Sequence, residues 1–439
     1  MQIPKIALSA AVIGALSTGA AYAQDAAPDA AAAAADPYFY VFNTLLFFLG
    51  GILVMWMAAG FCMLEAGLVR SKNVSMQCLK NISLYSTGVL VYWLVGYNLM
   101  YSGVDGGWFG QIAPMTFPAP SADTGDYSLA TDFFYQSMFC ATAASIVSGT
   151  VAERIRLWPF LLFVVILCGA IYPVTGAWQW GGGWLSEIGF SDFAGSTLVH
   201  SVGGWAALTG ALIIGARKGR YGADGRVVAM PGSSIPLATL GAFILWFGWF
   251  GFNGASQLAL GTLEDAASVG RVVVNTNTAA AAGVIVSMVI MQILYKKVDV
   301  TMALNGALGG LVAITAEPLT PTFLSAAIIG GIGAALVVVT VPLLDKLKID
   351  DVVGAIPVHL VAGIWGTLAV PFTNPDTSFS AQIIGILAVG AFTLVAPGIV
   401  WFAIKATIGV RPSEEEEALG LDRAEVGVEA YPEFSAARV

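Results

Sequence analysis

The sequence predicts an all-α protein that crosses a membrane many times. Three observations carry that prediction. Apolar residues make up 57% of the chain and charged residues 11%, against about 25% charged in a soluble domain. Apolar stretches of the length a bilayer demands, about 20 residues, follow one another almost from end to end. Third, the only two histidines lie inside such stretches and in matched surroundings.

The N-terminus is taken first. Lys5, an apolar core over residues 6–18 and Ala21-Tyr22-Ala23 fit a cleaved signal peptide, residues 1–23. Residues 24–37 lack bulky apolar side chains and read as a flexible periplasmic lead. Eleven candidate spans follow, over residues 40–67, 77–102, 129–152, 157–177, 193–216, 234–256, 270–295, 301–317, 323–344, 352–371 and 379–407. The eighth is short and glycine-rich (Asn305-Gly-Ala-Leu-Gly-Gly310), a composition suited to tight helix contact. The membrane domain is expected over residues 38–408 and a cytoplasmic regulatory tail over 409–439.

Charge placement supports this map. With the N-terminus outside, every lysine and arginine after the signal peptide except Arg271 falls on the inner side, as the positive-inside rule requires. The expected location is the inner membrane of a bacterium. The net charge of −9 collects in acidic termini and loops and gives no basic patch for nucleic acid. Glu414–Glu417 reads as a solvated run of tail. Cys62, Cys78, Cys140 and Cys168 read as free thiols packed as small hydrophobes.

The histidine segments are Asp192-Phe-Ala-Gly-Ser-Thr-Leu-Val-His200-Ser-Val-Gly-Gly204 and Asp351-Val-Val-Gly-Ala-Ile-Pro-Val-His359-Leu-Val-Ala-Gly363. They fall in the fifth and tenth spans. An offset of five spans reverses direction, so the chain is a five-plus-five inverted repeat followed by one further helix. Such repeats place a substrate site near the membrane midplane. A titratable ring inside a span is costly and marks a functional site. Two helices related by a pseudo-twofold axis can set their imidazoles face to face, one donating to the other. The pair then forms a polar strip that passes a proton or holds a small hydrogen-bonding molecule. Asp192 and Asp351 read as helix N-caps; Asp192, on the outer side, also suits a role toward a cation. Two histidines without a third ligand make a poor metal site. Neither a phosphate-binding glycine loop nor a serine elbow is present, so no enzyme and no cofactor is expected.

The residues resemble the ammonium transporter family (Amt/Mep/Rh), in its bacterial Amt branch. Leu64-Glu-Ala-Gly-Leu-Val-Arg70-Ser-Lys-Asn73, Val151-Ala-Glu-Arg-Ile-Arg156, Gly248-Trp-Phe-Gly-Phe-Asn253, Asn305–Val312 and both histidine segments carry the likeness, from about Tyr40 to Tyr431. The resemblance implies an ammonium transporter. Phe139, Trp180 and Ser256, with Asp192, match its outer recruitment site. Phe139 and Phe252 match its phenyl gate, and His200 and His359 match its twin pore histidines. Trp249 matches a pore-lining indole, joined by Asn253 and Thr315. The cation would be deprotonated and ammonia conducted, together with a proton, into the cytoplasm. Homotrimers and a PII-type signalling protein on the cytoplasmic face are implied partners. Val426 departs from the histidine expected before Gly427, which touches the tail and not the pore. An ammonium sensor and a passive ammonia or carbon dioxide channel are the alternatives; the complete Phe139, Trp180, Ser256 set favours cation recruitment.

Overall fold

The computed structural model describes residues 37–435. The signal peptide, all of the lead but Pro37, and the last four residues lie outside the described residues. Among the described residues, each of the eleven windows holds a helix: α1 Pro37–Leu68, α2 74–101, α3 Leu129–Thr150, α4 157–179, α5 Ser196–Ile214, α6 Ile235–Gln257, α7 Leu263–Tyr295, α8 Val300–Ile314, α9 Phe323–Lys346, α10 Ile356–Phe372 and α11 Phe379–Thr407. Seven of them, α1, α4 to α7, α9 and α11, are long and apolar enough to cross a membrane, and α8 and α10 are apolar but shorter. The other two carry polar side chains turned inward. Gln77, Lys80 and Asn81 of α2 are buried, and so are Asp132, Ser145 and Ser148 of α3. Large apolar residues on α7, α9 and α11 instead face outward, among them Ile285, Ile328 and Leu387, as a lipid-facing surface requires.

Helix ends differ from the hydropathy windows where capping takes over. α7 begins at Leu263, well before residue 270, because Thr262 and Asp265 form a capping box in polar sequence. α8 stops at Ile314. Beyond it the carbonyls of Thr315 and Ala316 accept N–H groups of Ala194 and Phe193, at 3.1 and 2.9 Å, which ties the end of α8 to the approach of α5. The glycines of α8 do admit close neighbours: a Cβ on Gly309 would lie 2.7 Å from a Val337 methyl of α9.

α1 packs chiefly on α6, and α7, α8 and α9 pack on one another. α5 and α10 cross inside the bundle. Each opens in a π turn, Ser196–Ser201 and Ile356–Val361, and each π turn contains its histidine. π turns concentrate at functional sites.

On the side where the two ends of α2 and α4 that begin each helix meet the tail, buried ion pairs form a clasp. Arg217 holds Asp350 through two nitrogens, at 2.8 and 2.9 Å, and Glu153 at 2.8 Å; Arg70 takes the other Glu153 oxygen at 2.5 Å. Burial alone would raise the Asp350 carboxyl, but the Arg217 hydrogen bonds and the charges of Arg154 and Arg217 hold it well below the usual carboxylate range.

The tail corrects one expectation. Glu414 is exposed, but Glu417 is buried, where it pairs with Arg411 at 2.6 Å and accepts the Lys218 N–H at 2.8 Å. Beyond α12 (Glu414–Leu419), Asp422 accepts the Ser75 and Met76 N–H groups at the start of α2. Glu425 accepts the Leu157 N–H at the start of α4. Carboxylates are favoured at helix N-termini, so Asp422 and Glu425, with buried Glu417, dock the tail, while Glu414, Glu415 and Glu416 stay exposed.

Candidate conduction site

His200 and His359 approach Nδ1 to Nδ1 at 3.1 Å, with ring centroids 5.1 Å apart. The motif explains how two helices come so close. The glycine four residues after each histidine sits at the crossing. A Cβ on Gly204 would lie 2.7 Å from the Leu360 backbone nitrogen of α10, and one on Gly363 would lie 2.7 Å from Ser201 Oγ of α5. Thr197 and Thr367 add a hydroxyl contact of 2.6 Å between the same helices. One nitrogen must donate and the other accept, so the two neutral rings take complementary tautomers. Both rings are buried, and His200 Nε2 has no hydrogen-bond partner.

Aromatic rings continue the column on the His200 side of the pair. Phe252 stacks on His200 at 5.3 Å, and Trp249 stacks on the same imidazole at 4.9 Å. Phe139 stacks on Phe252 at 4.0 Å between centroids. That is ring-to-ring contact, which leaves no gap for a passenger while the two stay stacked. The Trp180 ring stands edge-on to Phe139 at 6.2 Å and 85°. Two ring systems meeting at a right angle offer a cation two π surfaces. Ser256 completes the group. Its hydroxyl donates to the Phe252 carbonyl at 2.8 Å and lies 3.0 Å from the Tyr135 hydroxyl. Tyr135, which stands where the resemblance leads one to expect phenylalanine, therefore ties α3 to the end of α6.

Asp192 is fully buried behind this group. One carboxylate oxygen accepts the N–H groups of Gly195 and Ser196, at 3.1 and 2.8 Å; the other accepts those of Thr197 and Leu198, both at 2.8 Å. All four lone-pair positions are used, so Asp192 has no oxygen to offer a cation directly. Its backbone carbonyl takes the Trp180 indole N–H at 2.9 Å. Asp192 thus positions Trp180 and anchors α5. Asn253 and Thr315 lie behind Trp249: the Trp249 indole N–H donates to Thr315 Oγ at 2.8 Å, and Asn253 donates to Thr276 at 2.9 Å. Thr315 also donates to the Asn253 amide oxygen at 3.2 Å, so the two residues brace the indole together.

Sequence reasoning passed over Glu65 and Lys80, both fully buried. In the sequence Glu65 stands inside the Leu64–Asn73 motif and Lys80 among the inner-side charges. A carboxylate and an ammonium inside apolar windows are the signal that could have found them.

Residues 45–431 match the family model described as Ammonium Transporter Family. The chain is 40% identical over 396 residues to a putative ammonium transporter of Synechocystis sp., covering 88% of this chain and 89% of the relative. It is 40% identical over 414 residues to the ammonium transporter Amt2 of Archaeoglobus fulgidus, covering 88% and 87%. A solved structure titled Sensor Amt Protein superposes with a TM-score of 0.84 at 33% identity, covering 89% of this chain and 99% of that one.

Proposed function

The chain belongs to the ammonium transporter family, a family of membrane transporters and not of enzymes, and from that premise we propose that it takes up ammonium through the histidine column. Ammonium rests first between Trp180 and Phe139, with Ser256 as hydroxyl acceptor. There it loses a proton. Ammonia passes the Phe139–Phe252 gate when the rings part and crosses the histidine pair, while the proton crosses separately, so transport carries charge.

The observation that carries this reading is the His200–His359 contact at 3.1 Å inside a buried aromatic column. Bare ammonium in such a shaft would forfeit its hydration at large cost, and ammonia far less. Deprotonation at the mouth also excludes potassium, which has no proton to give. A pair in complementary tautomers offers a donor and an acceptor to ammonia, and a route for a proton.

This reading includes eleven crossings with the N-terminus outside, a body over residues 38–408, a tail over 409–439, and an inner-membrane location. The charge distribution supports it. Trimers and a PII-type partner follow from the resemblance. A sensor role has one supporting observation, the likeness to a structure titled Sensor Amt Protein.

The test is the current evoked by an ammonium jump on proteoliposomes of the full chain, with potassium as control. A saturable ammonium current, absent with potassium, is expected. Internal alkalinisation without current would replace electrogenic transport with neutral ammonia flux. Neither signal, with ammonium binding intact, would leave the sensor.

A further inference from the structure

A cavity adjoins the histidine pair on its far side from Trp249 and Phe252. It measures about 20 Å³ and is lined by Phe61, Glu65, Ser145, Asn305 and His359, among others. That volume admits one water-sized guest. The Phe61 ring lies 6.3 Å from the His359 ring, so this chamber follows His359 as Phe252 precedes His200.

Glu65 is the unusual member. It is 1% exposed, and its two oxygens differ. Oε2 accepts from Gln77 at 2.5 Å, from Asn81 at 3.0 Å and from Ser148 at 2.8 Å. Oε1 is buried without a partner. Lys80 reaches the cluster through Ser148 as well, donating to its backbone carbonyl at 2.8 Å, with its charge 5.2 Å above the Phe160 ring. It makes no ion pair with Glu65 within 4 Å among the described residues. A fixed carboxylate with one free oxygen beside a guest-sized cavity is a cation acceptor. Asn305 donates its amide nitrogen to Val353 O at 3.1 Å, which leaves the amide oxygen as an acceptor. The Ser145 hydroxyl, which donates to Ala141 O at 3.0 Å, also retains lone pairs. Three oxygens and a phenyl face suit a small guest rich in N–H donors.

We propose that this cavity is an inner ammonium site with Glu65 Oε1 as its counter-charge, the place where ammonia leaving His359 is held once the separately conducted proton has rejoined its nitrogen lone pair. The proposal rests on the transport reading above. It gives the pore two chemically different ends: neutral π faces and a hydroxyl at the mouth, a carboxylate at the exit.

The test compares wild type, Glu65→Gln and Glu65→Asp in proteoliposomes and by ammonium-minus-sodium infrared difference spectra of the purified full chain. Gln keeps the side-chain shape and can still accept from Gln77, Asn81 and Ser148. Glu65→Gln is expected to lower the saturating ammonium current about tenfold, the size of one lost charge-assisted contact. It should also remove a carboxylate band that responds to ammonium in the wild type. Glu65→Asp keeps the charge and should restore part of both. A carboxylate that merely supports the fold would lower thermal stability and leave no ammonium-dependent band. An unchanged current in Glu65→Gln, or a wild-type spectrum with no carboxylate response, overturns the site. If Glu65→Gln fails to assemble, the wild-type and Glu65→Asp spectra decide. Wild type without any ammonium current would instead overturn the transport reading, and the infrared response would still judge the site.

Discussion

The two histidine helices share a frame and differ in what surrounds it. Asp192 and Asp351 each stand three residues before a glycine of positive φ, Gly195 at 108° and Gly354 at 81°. Each then caps a π turn. Asp192 gathers four N–H groups. Asp351 gathers two, from Gly354 at 3.2 Å and Ile356 at 2.7 Å, and the Thr150 hydroxyl at 3.0 Å. Beyond the caps the likeness ends. His200 faces Trp249 and Phe252, whereas His359 faces Phe61 and the Glu65 cavity. The repeat builds a symmetric crossing, and the helices around it make the crossing directional.

The caps offer the largest break. Asp192→Ala strands four buried N–H groups, at about 1–3 kcal/mol for each; the residue 192 carbonyl that holds the Trp180 indole is kept, but the turn that places it loses its anchor. Asp351→Ala strands fewer. Thermal unfolding in detergent should show the larger loss at Asp192, and only Asp192→Ala should also move the ammonium concentration that half-saturates the current. Equal losses would mean that the caps are interchangeable.

The crossing glycines come next. Gly204→Leu or Gly363→Leu forces a side chain into the facing backbone and should cost about 3 kcal/mol or more. Size-exclusion profiles should show little assembled protein for either. A monodisperse variant with wild-type melting would show that the crossing has slack the structure does not display.

How legible was this in the sequence? The histidine pair and its flanking glycines are legible because repeated motifs and costly buried groups leave traces in the chain, whereas Phe139 and Phe252 stand out only through the family resemblance. Helix ends were less so, since Thr262 and Asp265 begin α7 in polar sequence where hydropathy sees no span. Charged residues misled most. Lys80 and Glu417 count as ordinary surface charges until the fold buries them, because burial depends on neighbours far along the chain. The four-way capping by Asp192 was likewise beyond reach. A carboxylate before a helix reads the same whether it meets one N–H or four.

Smaller effects sharpen the comparison at the tail side. Asp422→Ala uncaps α2 and should cost about 1 kcal/mol, read as faster proteolysis of the tail with little change in global melting. Intact tail protection would show that Glu417 suffices, together with Lys72, whose ammonium donates to the Glu417 and Ala418 carbonyls at 2.6 and 2.7 Å. The Asp350 carboxyl is held below its unfolded value near 3.9. Its contribution is therefore present at neutral pH and is lost as pH falls below about 4, where the unfolded chain takes up the extra proton. Melting between pH 6 and 3 should fall more steeply in wild type than in Asp350→Asn; parallel curves would remove Asp350 from the clasp's energetics.

The central claim is that the histidine pair makes the column selective for a molecule that can shed a proton. The most direct measurement sets ammonium against potassium currents in His200→Asp and His359→Ala, each first shown to assemble like wild type. The account predicts that at least one variant loses ammonium transport or admits potassium. Ammonium currents of wild-type size that still exclude potassium in both variants would contradict it.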